Sequence, residues 1–297
     1  LKVQTKADLA LILVTMFWGA SCLLTKVGLS GLEPLTMIAL RFIIGFALSA
    51  VFFWKRIAAS GLTTVKYAAI LAGILFVVYI FMTYGVKYTT ASNAGFLTCL
   101  ASVFIPIFAF VFLKQKPEKK VLLGIGLAFV GVLLLSLNGR LQFNLGDILS
   151  ILCSATFAVH ILVTGAFTRR VDSVALGVLQ LGFAGVYSLM AAFLFETPHL
   201  PQTSQSWIIV LTLSIFCTAV GFIVQTVAQK YTSPTHTGLI FSVEPAFAAF
   251  FAFAFLGEIL AFRGYVGGFL MILSIIIVEV DFSQIGRHRR KHDAANN

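Results

Sequence analysis

Ten apolar runs of about 20 residues, separated only by short polar connections, constrain this 297-residue chain more than any other feature. They lie at about 7–28, 34–54, 66–86, 91–113, 119–137, 145–167, 173–195, 206–229, 235–257 and 264–282. As helix, each is long enough to cross roughly 30 Å of hydrocarbon. With 59% hydrophobic residues, a mean hydropathy of +1.00 and 11% charged residues, the chain has far less charge than a soluble domain carries. A soluble fold of this size has no interior that could bury so many continuous apolar runs. The composition therefore predicts an all-α membrane protein of ten transmembrane helices. The first run follows two lysines, but it is too long for a signal peptide and no small-residue cleavage site follows it, so it reads as a retained helix.

Charge gives the orientation. Apart from Arg41, every Lys and Arg except Lys26, Lys87, Arg140 and Arg263 falls on the side that holds both termini. The positive-inside rule puts that side in the cytoplasm of a multi-pass protein of the cell membrane. The basic tail from His288 to Lys291 then serves orientation or lipid headgroup contact. The net charge of +10 sits in loops and tail, without an aromatic-interleaved basic surface, so nucleic acid is not an expected partner. Cys22, Cys99, Cys153 and Cys217 lie inside apolar spans without metal-ligand spacing and read as small core residues; neither metal nor cofactor is expected.

The chain also repeats. A shift of 139 lays Asp8 on Asp147, Trp18 on Phe157, Thr25 on Thr164 and Arg41 on Gln180. A shift of 143 lays Lys87-Tyr88-Thr89 on Lys230-Tyr231-Thr232, Gly95 on Gly238 and Phe112-Leu113 on Phe255-Leu256. The expected divisions are a first five-helix repeat at 1–138, a second at 139–282 and a basic tail at 283–297. Because five is odd, the second repeat enters the membrane from the opposite side. Inverted repeats of this kind recur in secondary transporters, where exchanging the conformations of the halves exchanges the open side.

Two five-helix halves, Trp18-Gly19 in the first span, Arg41-Phe42 in the second, FVFLKQKP closing the fourth and VEPAFAAFFAFAFLGE in the ninth together resemble the EamA-type transporters of the drug/metabolite transporter superfamily. The resemblance spans nearly the whole chain. It implies transport of amino acids, other metabolites or drugs, often outward. The first half departs from the second at two places, with Ala101 where Glu244 stands and Gln115 where Glu258 stands.

Polar residues inside the spans mark where a solute could pass. Trp18, Ser21 and Thr25 share one stripe of the first span. Ser150, Cys153, Phe157, His160 and Thr164 share a stripe of the sixth, with Phe157, His160 and Thr164 as repeat mates of the first three. Tyr79 in the third span matches Phe222 in the eighth, whose face also carries Thr218, Gln225 and Gln229. In the fourth and ninth spans, Ser92, Gly95, Cys99 and Ser102 match Thr235, Gly238, Ser242 and Pro245. These stripes predict a central aromatic-walled cavity between spans 1, 3, 4, 6, 8 and 9, with Trp18, Ser21, Thr25, Tyr79, Phe157, His160, Phe222, Gln225 and Ser242 as substrate-binding residues. Each hydroxyl could instead bond its own helix. His160 is either a proton-coupling group or a satisfied core imidazole, the second being preferred. Asn93 and His236 are repeat mates near opposite membrane faces and candidates for the two entrances. Spans 5 and 10 carry almost no deep polar groups and read as peripheral.

Arg41, Glu244 and Pro245 are expected to be structural or coupling residues. A carboxylate at the membrane centre costs roughly 2.5–3.5 kcal/mol unless paired, protonated or wet. Pro245 cannot donate to the Phe241 carbonyl, which predicts a kink and a free acceptor. At 1.5 Å per residue Arg41 and Glu244 lie roughly 10 and 14 Å from opposite faces, depths that a long side chain could bridge if their helices are neighbours. On a straight helix Glu244 points away from the Thr235/Gly238/Ser242 stripe. Either the kink turns it inward, or it ties its helix to a neighbour while the kink acts as a gate hinge; the second is the expectation.

No carboxylate pair, metal-ligand spacing, phosphate loop or nucleophile with a base is present, so catalytic residues are not expected and the chain reads as a non-enzyme. The function read from the sequence is a secondary transporter of an amino acid or related metabolite, with efflux favoured. The alternatives are an organic-cation or drug transporter and a passive facilitator. The expected partners are a small-molecule substrate and membrane lipids, with proton coupling open and the protein a monomer or weak homodimer.

Overall fold

The computed structural model describes residues 3–113, 119–136, 144–232, 234–241, 243–257, 259 and 261–279. The basic tail, Gln115, Ser242 and Glu258 therefore lie outside the described residues. Among the described residues the chain is helical throughout, with no strand: α1 (Val3–Gly28), α2 (Pro34–Ala58), α3 (Leu62–Tyr88), α4 (Ala91–Thr98), α5 (Ala101–Leu113), α6 (Lys119–Ser136), α7 (Leu145–Phe167), α8 (Ser173–Phe195), α9 (Ser204–Thr212), a π-helical stretch (Leu213–Val220), α10 (Gly221–Ala228), α11 (Pro234–Phe241), α12 (Glu244–Leu256) and α13 (Phe262–Glu279). Among the described residues seven stretches are long and apolar enough to cross a membrane: Gln4–Gly28, Pro34–Ala58, Leu62–Tyr88, Ala91–Val111, Leu145–Phe167, Ser173–Phe195 and Ser204–Ala228. Large apolar side chains such as Phe52, Phe195 and Phe262 are exposed at 80, 78 and 84%, which suits a lipid surround and not water. The protein is an all-α membrane protein.

The long helices pack in pairs. α2 lies along α8, α3 along α7 and α6 along α13, while α1 runs among α12, the π stretch and α10. The α6–α13 pair touches the rest mainly through α5 and α11, so it is peripheral. Both ends of the α2–α8 pair are latched. The Glu196 carboxylate accepts from the backbone N–H of Leu35 and Thr36, each at 2.8 Å, and so satisfies the open donors of the α2 N-terminus. At the other end Asp172 caps α8 and pairs with Arg56 at 2.9 Å. Thr90, Asn144 and Thr203 cap α4, α7 and α9 in the same manner. Gly146 lets α7 meet the end of α3 directly: a Cβ there would lie 2.6 Å from Thr89 N and 2.7 Å from Gly85 O.

Two of the spans depart from α geometry, the ninth close to the kink expected at Pro245. The fourth span tightens at Cys99–Leu100, where Cys99 N–H bonds Phe96 O at 3.3 Å and Leu100 N–H bonds Leu97 O at 3.2 Å. The ninth tightens at the repeat-related place, with Val243 N–H on Ile240 O at 3.3 Å and Ala246 N–H on Val243 O at 3.1 Å. These i→i+3 bonds are a turn of 3₁₀ geometry, narrower than α. Pro245 alone cannot account for the turn, because its mate Ser102 has a donor and the turn forms there too. The acceptor that Pro245 leaves free on Phe241 is reached by the Cys99 thiol at 3.7 Å.

Candidate functional site

Where α1, α3, α4, α7, α10 and α12 converge they enclose a cavity of about 50 Å³. α1 supplies Trp18, Ser21 and Cys22; α3 supplies Val78, Tyr79 and Met82; α7 supplies Cys153 and Phe157; Thr98, Phe222 and Glu244 complete the wall. The aromatics are locked together. The Trp18 ring centroid lies 5.5 Å from that of Phe157, 5.1 Å from Phe222 and 4.9 Å from Phe241. Its indole N–H donates to the Cys217 carbonyl at 2.9 Å, a partner offered by the π-helical stretch. Gly221 makes room for this approach, since a Cβ there would sit 2.6 Å from the indole nitrogen.

Of the residues expected from the sequence, Trp18, Ser21, Tyr79, Phe157 and Phe222 line the cavity, while Thr25, His160 and Gln225 are buried away from it. His160 Nε2 lies 3.2 Å from Gln180 Oε1, and Gln180 Nε2 donates to Thr226 Oγ1 at 3.0 Å. Its ring stacks beside Phe157 and meets Phe222 edge-on. Gln225 donates to Gln229 at 3.4 Å and Gln229 to the Ile161 carbonyl at 3.3 Å. These contacts tie α7, α8 and α10 into one buried polar cluster. Asn93 is half-buried in the first turn of α4, where its N–H is capped by Thr90 at 3.1 Å. The His236 side chain lies outside the described residues.

The stripe shared by the fourth and ninth spans does not face the cavity. Gly95 packs against Ala248, with room for no Cβ, and Ser102 Oγ donates to the Gly238 carbonyl at 2.9 Å. That stripe is the seam between the two helices. Glu244, expected to tie its helix to a neighbour, lines the cavity instead, and its carboxylate has no hydrogen bond or ion pair among the described residues. Ordinary helical phase accounts for this: Glu244 points away from that stripe, so when the stripe turns to the seam the carboxylate turns to the cavity.

Arg41 is wholly buried and does not pair with Glu244. Its Nε donates to Thr218 Oγ1 at 2.9 Å, its Nη2 to Ser21 Oγ at 3.4 Å, and its guanidinium carbon lies 4.5 Å from the Tyr79 ring centroid. Ser21 and Tyr79 both belong to the wall, so Arg41 stands one side chain behind it. The repeat mates form the matching contact: Arg41 reaches Ser21 as Gln180 reaches His160. The 139 shift pairs these positions, but nothing in the sequence told that both bond to a hydroxyl on the π stretch or α10. Thr218, Gln180 and Thr226 are the partners that sequence reading left without a role.

The sequence model of the EamA-like transporter family matches residues 5–137 and again 144–280. The chain belongs to that family. Two uncharacterized transporters of Archaeoglobus fulgidus are similar to it: one is 33% identical over 275 residues, covering 92% of this chain and 86% of that protein. The other is 28% identical over 287 residues, covering 93% and 98%. A solved crystal structure matches with a TM-score of 0.69 at 19% identity, over 92% of this chain and 96% of that one, a likeness of fold alone. This EamA-type member of the drug/metabolite transporter superfamily is thus a multi-pass membrane transporter.

Proposed function

We propose that this EamA-type protein is a secondary transporter that moves a small organic metabolite, first an amino acid or related compound, by alternating access of two inverted five-helix repeats, 1–138 and 139–282. The observation that carries the reading is the cavity itself, walled from both halves by Trp18, Tyr79, Phe157 and Phe222 and holding one unpartnered carboxylate, Glu244. The pairing of helices supports the repeat. α3 on α7 has its counterpart in α1 on the π stretch and α10, α1 on α12 in α7 on α5, and α2–α8 and α6–α13 map onto themselves. The family model matching twice and the two 3₁₀ turns at mated positions support it further.

Both termini belong in the cytoplasm, the cell membrane is the site and efflux is the direction, the first two from the charge of the loops and the third from the family resemblance. Either a monomer or a weak homodimer suffices, since one chain encloses the cavity. Glu244 is the group for proton coupling: a cavity carboxyl can carry a proton while the site is empty and give it up to water as a substrate cation takes its place. Aromatic walls around a carboxylate also favour a second reading, an organic cation held partly by its attraction to ring faces. Flux into proteoliposomes, with amino-acid and choline-like panels and with and without a pH gradient, tests all three. Saturable, gradient-dependent amino-acid flux is expected. Cation flux alone selects the second reading, gradient-independent equilibration selects a facilitator, and absence of any saturable flux rejects transport of these solutes.

A further inference from the structure

Two groups of opposite sign lie at this cavity, Glu244 in its wall and Arg41 one side chain behind it, and neither has an ion-pair partner among the described residues. Arg41 is fully buried, its Nη1 has no hydrogen-bond partner, and the one ion pair among the described residues is the exposed Arg56–Asp172. Glu244 stands in the opposite half of the chain with no pair either. Uncompensated buried charges are costly, so each is the place where a ligand of the other sign gains most.

Ser21 connects Arg41 to the cavity. Its hydroxyl lines the wall and accepts from Arg41 Nη2 at 3.4 Å. A serine hydroxyl that accepts from a guanidinium still has its own proton to give. The competitor in reach is the Cys217 sulfur, a weak acceptor beside a carboxylate.

We propose that the cavity is a seat for a zwitterion: Glu244 takes the ammonium of an α-amino acid, Ser21 donates to its carboxylate, and Arg41 acts behind Ser21 as the positioning residue. This rests on the amino-acid reading above and adds its recognition chemistry. The aromatic walls hold the apolar remainder of the ligand. Neither an amine nor a carboxylic acid alone can satisfy both charges, which gives the site its choice between substrate classes.

The test is equilibrium binding to the purified full-length protein, which requires no transport. The probes are leucine, isoamylamine, which lacks the carboxylate, and 4-methylpentanoate, which lacks the ammonium. Leucine is expected to bind about tenfold or more tightly than either analogue. Glu244→Gln should abolish the preference over the acid, and Ser21→Ala and Arg41→Gln the preference over the amine. Arg41→Lys keeps the charge and should retain part of that preference if the fold tolerates it.

Equal binding of leucine and the amine overturns the proposal in favour of a simple cation site. So does an Arg41→Gln/Glu244→Gln double variant that recovers the thermal stability lost by each single one while the wild-type ratios are flat, since the charges then serve only each other. Leucine-selective binding without flux would sink the transport reading and leave the seat. Flux with flat binding ratios would do the reverse.

Discussion

At the scale of the residue, the decisive fact is which polar side chains are already satisfied. His160 has Gln180 on one side and aromatic rings on two others, and it is closed off from the cavity. Removing it leaves a buried amide short of a partner, a loss of about 1–3 kcal/mol. His160→Ala should therefore lower the melting temperature while leaving ligand affinity nearly unchanged. An affinity loss at unchanged stability, measured on the same preparation, would return His160 to the cavity wall. Trp18 is different, because it both lines the cavity and anchors α1 to the π stretch through its indole N–H. The sequence made Trp18, Tyr79, Phe157 and Phe222 legible as residues because bulky aromatics recurred at mated positions. It could not show that His160 is shielded, since its stripe is the same as that of Phe157, and one turn of helix separates the wall from the core.

At the scale of the element, the two 3₁₀ turns matter most. A helical phase of about 100° per residue puts Trp18 and Ser21 of α1 on one face, and both line the cavity. On the ninth span the phase is right and the face is misassigned: a stripe of small and hydroxyl residues serves a close helix seam as readily as a cavity, and here it is the seam, which leaves Glu244 on the cavity face. Pro245 drew attention as the cause, yet Ser102 at the mated position carries the same turn. Pro245→Ala should thus preserve the turn and keep substrate flux within about twofold of wild type. The physical reason is that the same i→i+3 turn forms at the mated position, where Ser102 has no ring. A collapse of flux, with the protein still folded by circular dichroism, would show that the proline itself sets the geometry.

At the scale of the whole molecule, the proposed inverted repeat turns one observed contact into an expectation about the conformation not seen. Gln180 bridges His160 and Thr226. The mates of these three are Arg41, Ser21 and Thr83, and Thr83 is buried on α3. Under the proposed exchange of the two halves the Arg41 guanidinium would move from Thr218 toward Thr83. Thr226→Val and Thr83→Val should therefore bias the protein in opposite directions, read as opposite changes in thiol labelling from a given side of the membrane. Equal changes would argue against exchange. No cysteine needs to be introduced for that measurement. Cys22 and Cys153 are unbridged and sit in the cavity wall itself. These two thiols are a built-in chemical clock, whose rate of alkylation would report how often the cavity admits solvent and how well a bound solute keeps it out.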